Sequence, residues 1–235
     1  MAHQKIAASV ALVTGGAGGI GKAIAEKLAA ADVDVVVADV VPQKNNTNNI
    51  IYRHCDVTKG ADVDALFEWM VQTTGLPDVL VLNAGKDMHE KLTEGDPEKW
   101  EYTLQLNVMG VLRCIRAFVP QMEQNKKGDI VFISSVAAGR AYEYGGVYSA
   151  TKAAVEVIAE TLRIETSPCI RVTVISAGIT DTAFFNNRGD GSNAESIGMG
   201  SMEPDEIADD VIYALSRQRN TVVNRITVRP AKQDF

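Results

Sequence analysis

A single α/β domain, built on a doubly wound parallel sheet of about seven strands, is the fold that this 235-residue sequence predicts. Three observations carry it. Apolar, β-branched runs alternate with helix-period stretches along the whole chain. The first run ends in a glycine loop that opens a helix, and the second ends in an aspartate. Polar or glycine-containing turns then follow later strand ends, where a parallel sheet collects its ligands.

Taken in order, Ile6–Thr14 is the first apolar run, and Gly15-Gly16-Ala17-Gly18-Gly19-Ile20-Gly21 leads into a helix marked by Ile20, Ile24, Ala25 and Leu28. Val33–Ala38 is a β-branched strand ending at Asp39, and Pro42–Asn49 is an Asn-rich turn. Ile50–Cys55 reads as a third strand and Asp62–Thr73 as a helix. Val79–Leu82 is a short buried strand ending in Asn83-Ala84-Gly85. One long helix is expected from Pro97 to about Gln124, with proline in its first turn. Asp129–Ser134 is a strand, Tyr148–Thr166 a helix and Ile170–Ser176 a strand ending in Ala177-Gly178. Pro204 opens a helix to Arg217, and Val222–Val228 closes the sheet. Near-continuous apolar strands suit a sheet covered on both faces. The one compositional shift, Phe185–Ser201, is rich in Gly, Asn and Ser. A linker could have this composition, but its place after a strand end suits a substrate lid over a cleft, spanning 184–202.

Composition narrows the function classes. A net charge of -7 and the lack of a Lys/Arg cluster argue against a nucleic-acid surface. No apolar run approaches the ~20 residues needed to span a bilayer, and the N-terminal run breaks at glycines rather than at a cleavage site. A cytoplasmic protein is expected. Cys55, Cys114 and Cys169 are odd in number, far apart and without a histidine at metal-ligand spacing, so neither a disulfide nor a metal is expected.

The chemistry concentrates in Ser135 to Lys152. Tyr148 and Lys152 are four apart and so share a helix face. A free tyrosine ionises near pH ~10, and a nearby ammonium favours the phenolate, which suits it to proton transfer near neutrality. Ser135 could hydrogen-bond the oxygen that gains charge. The glycine loop offers backbone N–H groups and a helix dipole to a pyrophosphate. Asp39 falls eighteen residues after Gly21, where a carboxylate accepts from adenosine-ribose hydroxyls and repels a 2′-phosphate. Neither the loop nor the residues directly after Asp39 supply a cation for that phosphate, so NAD is favoured over NADP. A strand-end cap is the plainer role for Asp39. Asp56 could reach the adenine amino group or close an Asx-turn. Asn107, in LQLNVMG, could equally be a hydrogen-bonded core amide.

Thr14-Gly15-x-x-x-Gly19-Ile20-Gly21, Asn83-Ala84-Gly85, Asn107, Ser135 and Tyr148-x-x-x-Lys152, in that order, resemble the short-chain dehydrogenase/reductase family in its single-domain form. The resemblance covers nearly the whole chain and implies a Rossmann fold. Tyr148 would be the general acid/base. Lys152 would lower its pKa and bond the nicotinamide ribose, and Ser135 would orient the substrate oxygen. Asn107 would hold a water in a proton relay. Cofactor contacts are implied for Gly15, Ala17, Gly18, Gly19, Ile20, Gly21, Asp39, Asp56, Val57, Asn83, Ala84 and Gly85. Tyr148, Lys152, Gly178, Ile179 and Thr182 complete that set. Two departures stand out: Leu82 precedes Asn83 where the family has a second Asn, and Ala177 precedes Gly178 where it has Pro.

The implied reaction is hydride transfer between NAD and a secondary alcohol or ketone of a small or medium-sized substrate. By position, Met88, His89, Tyr142, Glu143, Phe184 and Phe185 are candidate substrate contacts. A solvent-exposed loop is the simpler place for His89. An NADPH-using acyl-carrier-protein ketoreductase is the enzymatic alternative, and Asp39 argues against it. A non-catalytic dinucleotide sensor is the other, and the complete Ser135, Tyr148, Lys152 and Asn107 set argues against that. The resemblance also implies a homo-oligomer, tetramer or dimer, paired through the Pro97–Gln124 and Tyr148 helices.

Overall fold

The computed structural model of the chain describes residues 6–42, 49–184 and 197–233. Seven parallel strands lie in the order β3-β2-β1-β4-β5-β6-β7. They are β1 (Val10–Thr14), β2 (Asp34–Asp39), β3 (Ile50–His54), β4 (Val79–Leu82), β5 (Gly128–Ser135), β6 (Ile170–Ala177) and β7 (Arg225–Val228). The helices are α1 (Gly19–Ala30), α2 (Gly60–Thr73), α3 (Pro97–Leu104), α4 (Gly110–Gln124), α5 (Gly146–Thr166) and α6 (Pro204–Leu215).

Side chains alternate across a strand, so each strand feeds two cores. In β1, Ala11 and Val13 face α1 and α6, packing with Ile24, Leu28, Ile207 and Val211. Leu12 faces the other layer and joins Met70, Phe118, Met122, Val155 and Leu162. Apolar strands are thus covered on both faces. Strand order reverses between β1 and β4, which opens a crevice at the carboxyl ends there.

Most boundaries fall within two residues of the sequence expectation, and three differences are larger. β1 begins at Val10 rather than Ile6, because the Ser9 N–H donates to the Asp78 side chain instead of a neighbouring strand. β7 begins at Arg225, after a non-strand stretch that includes Val222. The long helix is not uniform: α3 and α4 are joined by a π-helical turn, Gln105–Met109. The Asp96 side chain accepts from the Glu98 N–H to start it, with Pro97 in the first turn. The wider turn then admits one extra residue, which redirects the buried Asn107 side chain. The expected cover over the cleft falls mostly on residues 185–196, outside the described residues, as do parts of the Asn-rich turn.

One buried charge network anchors the sheet at its far end. Arg171 of β6 pairs with Asp129 of β5 and donates to the carbonyls of Leu215, Arg217, Gln218 and Thr221. Arg219 holds the other Asp129 oxygen at 2.7 Å. Removing one partner strands a buried guanidinium. Asp129→Ala should therefore cost roughly 3–5 kcal/mol, read as a lowered urea midpoint with the slope unchanged.

Candidate active site

A cavity of about 590 Å³ opens at the switch point and holds nearly all of the sequence-predicted site. One end is walled by Gly15, Gly18, Gly19 and Ile20 with Asp39, Asp56 and Val57. Asn83, Ala84 and Gly85 form its middle, and Ser135, Tyr148, Lys152, Gly178, Ile179 and Thr182 form the other end. Ala17, Gly21 and Asn107 do not reach it. Their places explain why. The Ala17 N–H donates to Asp39 Oδ2 at 2.9 Å, tying the glycine loop to the end of β2. Gly21 lies against Asn83 and the Gly15 carbonyl, where a Cβ would come within 2.4 Å of both.

The loop fits a dinucleotide pyrophosphate. Gly18 caps α1 without a side-chain hydrogen bond, so the first N–H groups of the helix have no side-chain cap. Gly15 takes φ +67°, and a Cβ there would sit 2.8 Å from the Ala84 backbone. Asn83 holds this crossing together: its Nδ2 donates to the Thr14 and Gly15 carbonyls at 3.0 and 2.9 Å. Thr14 Oγ1 donates to the Val81 carbonyl and accepts from the Asn83 and Ala84 N–H groups. Leu82 in place of a second Asn costs nothing visible here, being buried in the core.

Asp39 presents its carboxylate at the end of β2, with Oδ1 accepting from the Val41 N–H. Among the described residues lining the cavity, Lys152 is the one lysine or arginine. Asp56 does close an Asx-turn, accepting from the Thr58 N–H and hydroxyl, while lining the cavity. Burial pushes its carboxyl up, but those Thr58 bonds and the Lys59 ammonium outweigh it and leave it below the usual range. Cys55 also lines this end. Burial, with Asp62 and Asp56 nearby, pushes its thiol up to about 12, so it is a packed thiol and not a nucleophile at neutral pH.

At the catalytic end, Tyr148 and Lys152 lie in the first two turns of α5, both buried, with Lys152 Nζ 5.8 Å from the Tyr148 ring centroid. Lys152 Nζ donates to the Ile133 carbonyl at 2.9 Å. Burial pulls this ammonium down from its ordinary value to about 8, with Asp87 and Glu156 pulling the other way. Ser135 ends β5 and caps the following 3-10 turn, its Oγ accepting from the Ala137 N–H at 3.2 Å.

The Asn107 side chain is the hydrogen-bonded core amide that the sequence also allowed. Its Oδ1 accepts from the Lys86 N–H, and its Nδ2 donates to the Lys86 carbonyl, both at 2.9 Å. A further bond at 3.1 Å reaches Thr151 Oγ1 on α5. The amide thus clamps the loop after β4 to the helix that carries Tyr148 and Lys152.

Several site residues were not visible from the sequence. Asp87 is buried in the cavity wall, one position beyond the clamped Lys86. Gln233 lines the cavity and accepts from the Ile179 N–H, so the tail helps fix that segment. Of the candidate substrate contacts, His89, for which solvent was the simpler place, lines the cavity and stacks on Tyr142, with Tyr144 edge-on at 5.3 Å. Phe184 packs edge-on to Tyr148 at 5.8 Å. Met88 packs beside Tyr148 and Ala137, Glu143 is exposed, and Phe185 lies outside the described residues.

Comparison with known proteins agrees with this geometry. The sequence profile described as short chain dehydrogenase matches residues 9–193. An uncharacterised oxidoreductase of Staphylococcus epidermidis is 30% identical, over 96% of this chain and 99% of its own. One from Staphylococcus saprophyticus is 34% identical, over 94% and 97%. Among solved structures, an alcohol dehydrogenase from the archaeon Thermococcus sibiricus, complexed with 5-hydroxy-NADP, superposes with a TM-score of 0.84 at 28% identity, over 96% and 97% of the chains. A 3-ketoacyl-(acyl-carrier-protein) reductase from Brucella melitensis, complexed with NADH, gives 0.86 at 27%, over 95% and 98%. With its parallel sheet, its glycine loop and this match over most of its length, the chain belongs to the short-chain dehydrogenase family and is an NAD(P)-dependent oxidoreductase.

Proposed function

We propose that this protein transfers a hydride between NAD and a secondary alcohol or ketone of a small or medium-sized substrate, with Tyr148 as general acid/base. The observation that carries it is the shared cavity wall: Ser135, Tyr148 and Lys152 line a crevice that the glycine loop and the Asp39 carboxylate also line. Bound there, the nicotinamide supplies the redox chemistry, and the protein supplies position and the proton. Gly15, Gly18, Gly19 and Ile20 would hold the pyrophosphate. Asp39 would hold the adenosine ribose and Asp56 with Val57 the adenine side. Gly178, Ile179 and Thr182 would border the nicotinamide.

In the reducing direction Tyr148 donates its hydroxyl proton to the substrate oxygen. Ser135 Oγ hydrogen-bonds that oxygen and stabilises its developing charge. Lys152 holds a positive charge beside Tyr148, which favours the phenolate left behind. Asn107 acts as the clamp that keeps the Lys86 loop and α5 in register. His89, Tyr142 and Phe184 line the same cavity and would border the substrate.

The test is consumption of NADH and NADPH by purified protein across ketones, sugars, hydroxy-acid precursors and ketoacyl thioesters. NADH oxidation with one chemical class is expected, and preference for NADPH would refute the cofactor assignment. The pH dependence follows from Lys152. Its ammonium is fully charged below about 8 and is lost as the pH rises through that value. Reductive kcat/KM should therefore be level below about 8 and fall towards tenfold per unit above it. A profile still rising at pH ~9 would contradict this.

Self-association is part of the same reading. Leu104 and Leu112, on either side of the π turn, and Val157 and Ile164 of α5 leave large apolar side chains exposed. That supports pairing through these helices into a dimer or tetramer. Sedimentation equilibrium should show a mass of at least two chains, and a monomer at micromolar concentration would reject it.

A further inference from the structure

The layer between the sheet and α5 is largely apolar. Val155, Ala159 and Leu162 of α5 pack with Ile130 and Phe132 of β5 and with Val172 and Val174 of β6. Side chains alternate along a strand, so the next residues on that face are Ser134 and Ser176. These two are register partners in the β5–β6 pair and present their hydroxyls side by side. Both donate to one oxygen of α5, Glu156 Oε1, at 3.0 and 2.8 Å. Arg225 of β7 holds the other oxygen, Oε2, at 2.8 Å. A carboxylate whose side chain is 12% exposed thus ties three strands to one helix.

The tie adjoins the reacting groups. Tyr148, Lys152 and Glu156 follow at four-residue intervals and form a row on one face of α5. Lys152 Nζ donates to the Ile133 carbonyl, and the next residue, Ser134, donates to Glu156. The helix therefore grips two consecutive residues of β5, and the third is Ser135. On β6, Ser176 is followed by Ala177 and Gly178, which line the catalytic cavity. Ser135 also borders a second cavity of about 320 Å³, shared with Glu156, Ser176 and Arg225. Close packing among the described residues does not back the serine on that side, which leaves the strand end to these hydrogen bonds. Stability alone does not call for them, since apolar residues in place of a buried charged pair are often neutral or better.

We propose that Glu156 is a positioning residue: by holding Ser134, Ser176 and Arg225 it sets the separation between the Ser135 and Tyr148 hydroxyls. The proposal rests on the catalytic roles given to Ser135 and Tyr148 above. Glu156 is not part of the catalytic cavity wall, so it acts through these neighbours.

The test compares Glu156→Leu with Glu156→Gln. Leucine suits the apolar layer but accepts no hydrogen bond, whereas glutamine keeps an acceptor oxygen for the two serines. Glu156→Leu should lower reductive kcat roughly 10–100-fold and leave the NADH dissociation constant within about threefold of wild type. Glu156→Gln should keep kcat within about threefold. Crystal structures with NAD bound should show the Ser135–Tyr148 hydroxyl separation changed by about 0.5 Å or more in Glu156→Leu, and by less in Glu156→Gln. An unmoved separation in Glu156→Leu would overturn the proposal. So would a lowered urea midpoint with wild-type turnover by the folded protein, since that is what a merely structural role gives. Glutamine as slow as leucine would also end it. Should Glu156→Leu not fold, Ser176→Ala decides alone: kcat lowered about threefold or more with NADH binding unchanged supports the proposal, and unchanged kcat refutes it. The hydroxyl separation is read without turnover, so it separates this proposal from the reading beneath it. If Tyr148→Phe retained full activity, the catalytic reading would fail whatever the separation showed.

Discussion

Tyr148→Phe should lower kcat by roughly 10³–10⁴-fold while leaving the NADH dissociation constant within about threefold of wild type. The substitution removes one hydroxyl and keeps the ring, which packs against Phe184, Met88 and Ala137 in the cavity wall. The fold and the crevice should therefore survive. What disappears is the proton donor for the substrate oxygen, an interaction needed only as that oxygen gains charge. Such a loss lowers kcat and kcat/KM together and spares ground-state binding. Stopped-flow turnover beside fluorescence titration with NADH reads both quantities. A variant retaining more than about a tenth of wild-type kcat would remove Tyr148 from the role of acid/base.

The second large effect concerns the cofactor. Wild-type kcat/KM should favour NADH over NADPH by roughly 100-fold, and Asp39→Asn should reduce that ratio to about tenfold or less. A 2′-phosphate would be brought against the Asp39 carboxylate at the cavity end where the described lining residues offer no arginine or lysine. The asparagine keeps one acceptor oxygen for the Ala17 or Val41 N–H and removes the charge. Part of the NADH rate should fall too, because the glycine loop loses one tether to β2. The ratio of the two cofactors, measured at one pH and ionic strength, isolates the charge from that loosening. Equal use of both cofactors by wild type would show that Asp39 does not discriminate.

Much of this was legible in the sequence because its signals are local. A β-branched run, a glycine turn and a helical period mark β1 and α1 without any tertiary information, and the same holds for Val79–Leu82 and its Asn83-Ala84-Gly85 end. Tyr148 and Lys152 meet because of helix spacing alone. The unread features depend on long-range geometry. A single π turn adds one residue to a helix whose apolar period continues on either side, so Gln105–Met109 left no mark in the pattern. Asn107 is the hydrogen-bonded core amide that the sequence allowed, but its partners could not be read there. Its bonds to Lys86 and Thr151 span 21 and 44 residues.

Asp87 and Glu156 are ordinary acids in sequence, and only the fold buries one and sets the other behind two serines. His89 illustrates the same limit. Loop position allowed either solvent or a substrate contact, and only the fold decides: the Glu90 N–H bonds the Tyr144 carbonyl and joins the two loops, which brings His89 onto Tyr142. Gln233 is the last case, since nothing in a polar tail announces that it accepts from Ile179.

The most direct test of the central claim follows the hydrogen itself. The protein would be incubated with NADH deuterated at C4 of the nicotinamide and the carbonyl compound it reduces best, and the product alcohol analysed by mass spectrometry. One deuterium bound to the carbinol carbon is expected, absent when Tyr148→Phe replaces the wild type. No deuterium in the product of any carbonyl class, with NADH bound but unchanged, would contradict the account and leave a dinucleotide-binding protein without the chemistry.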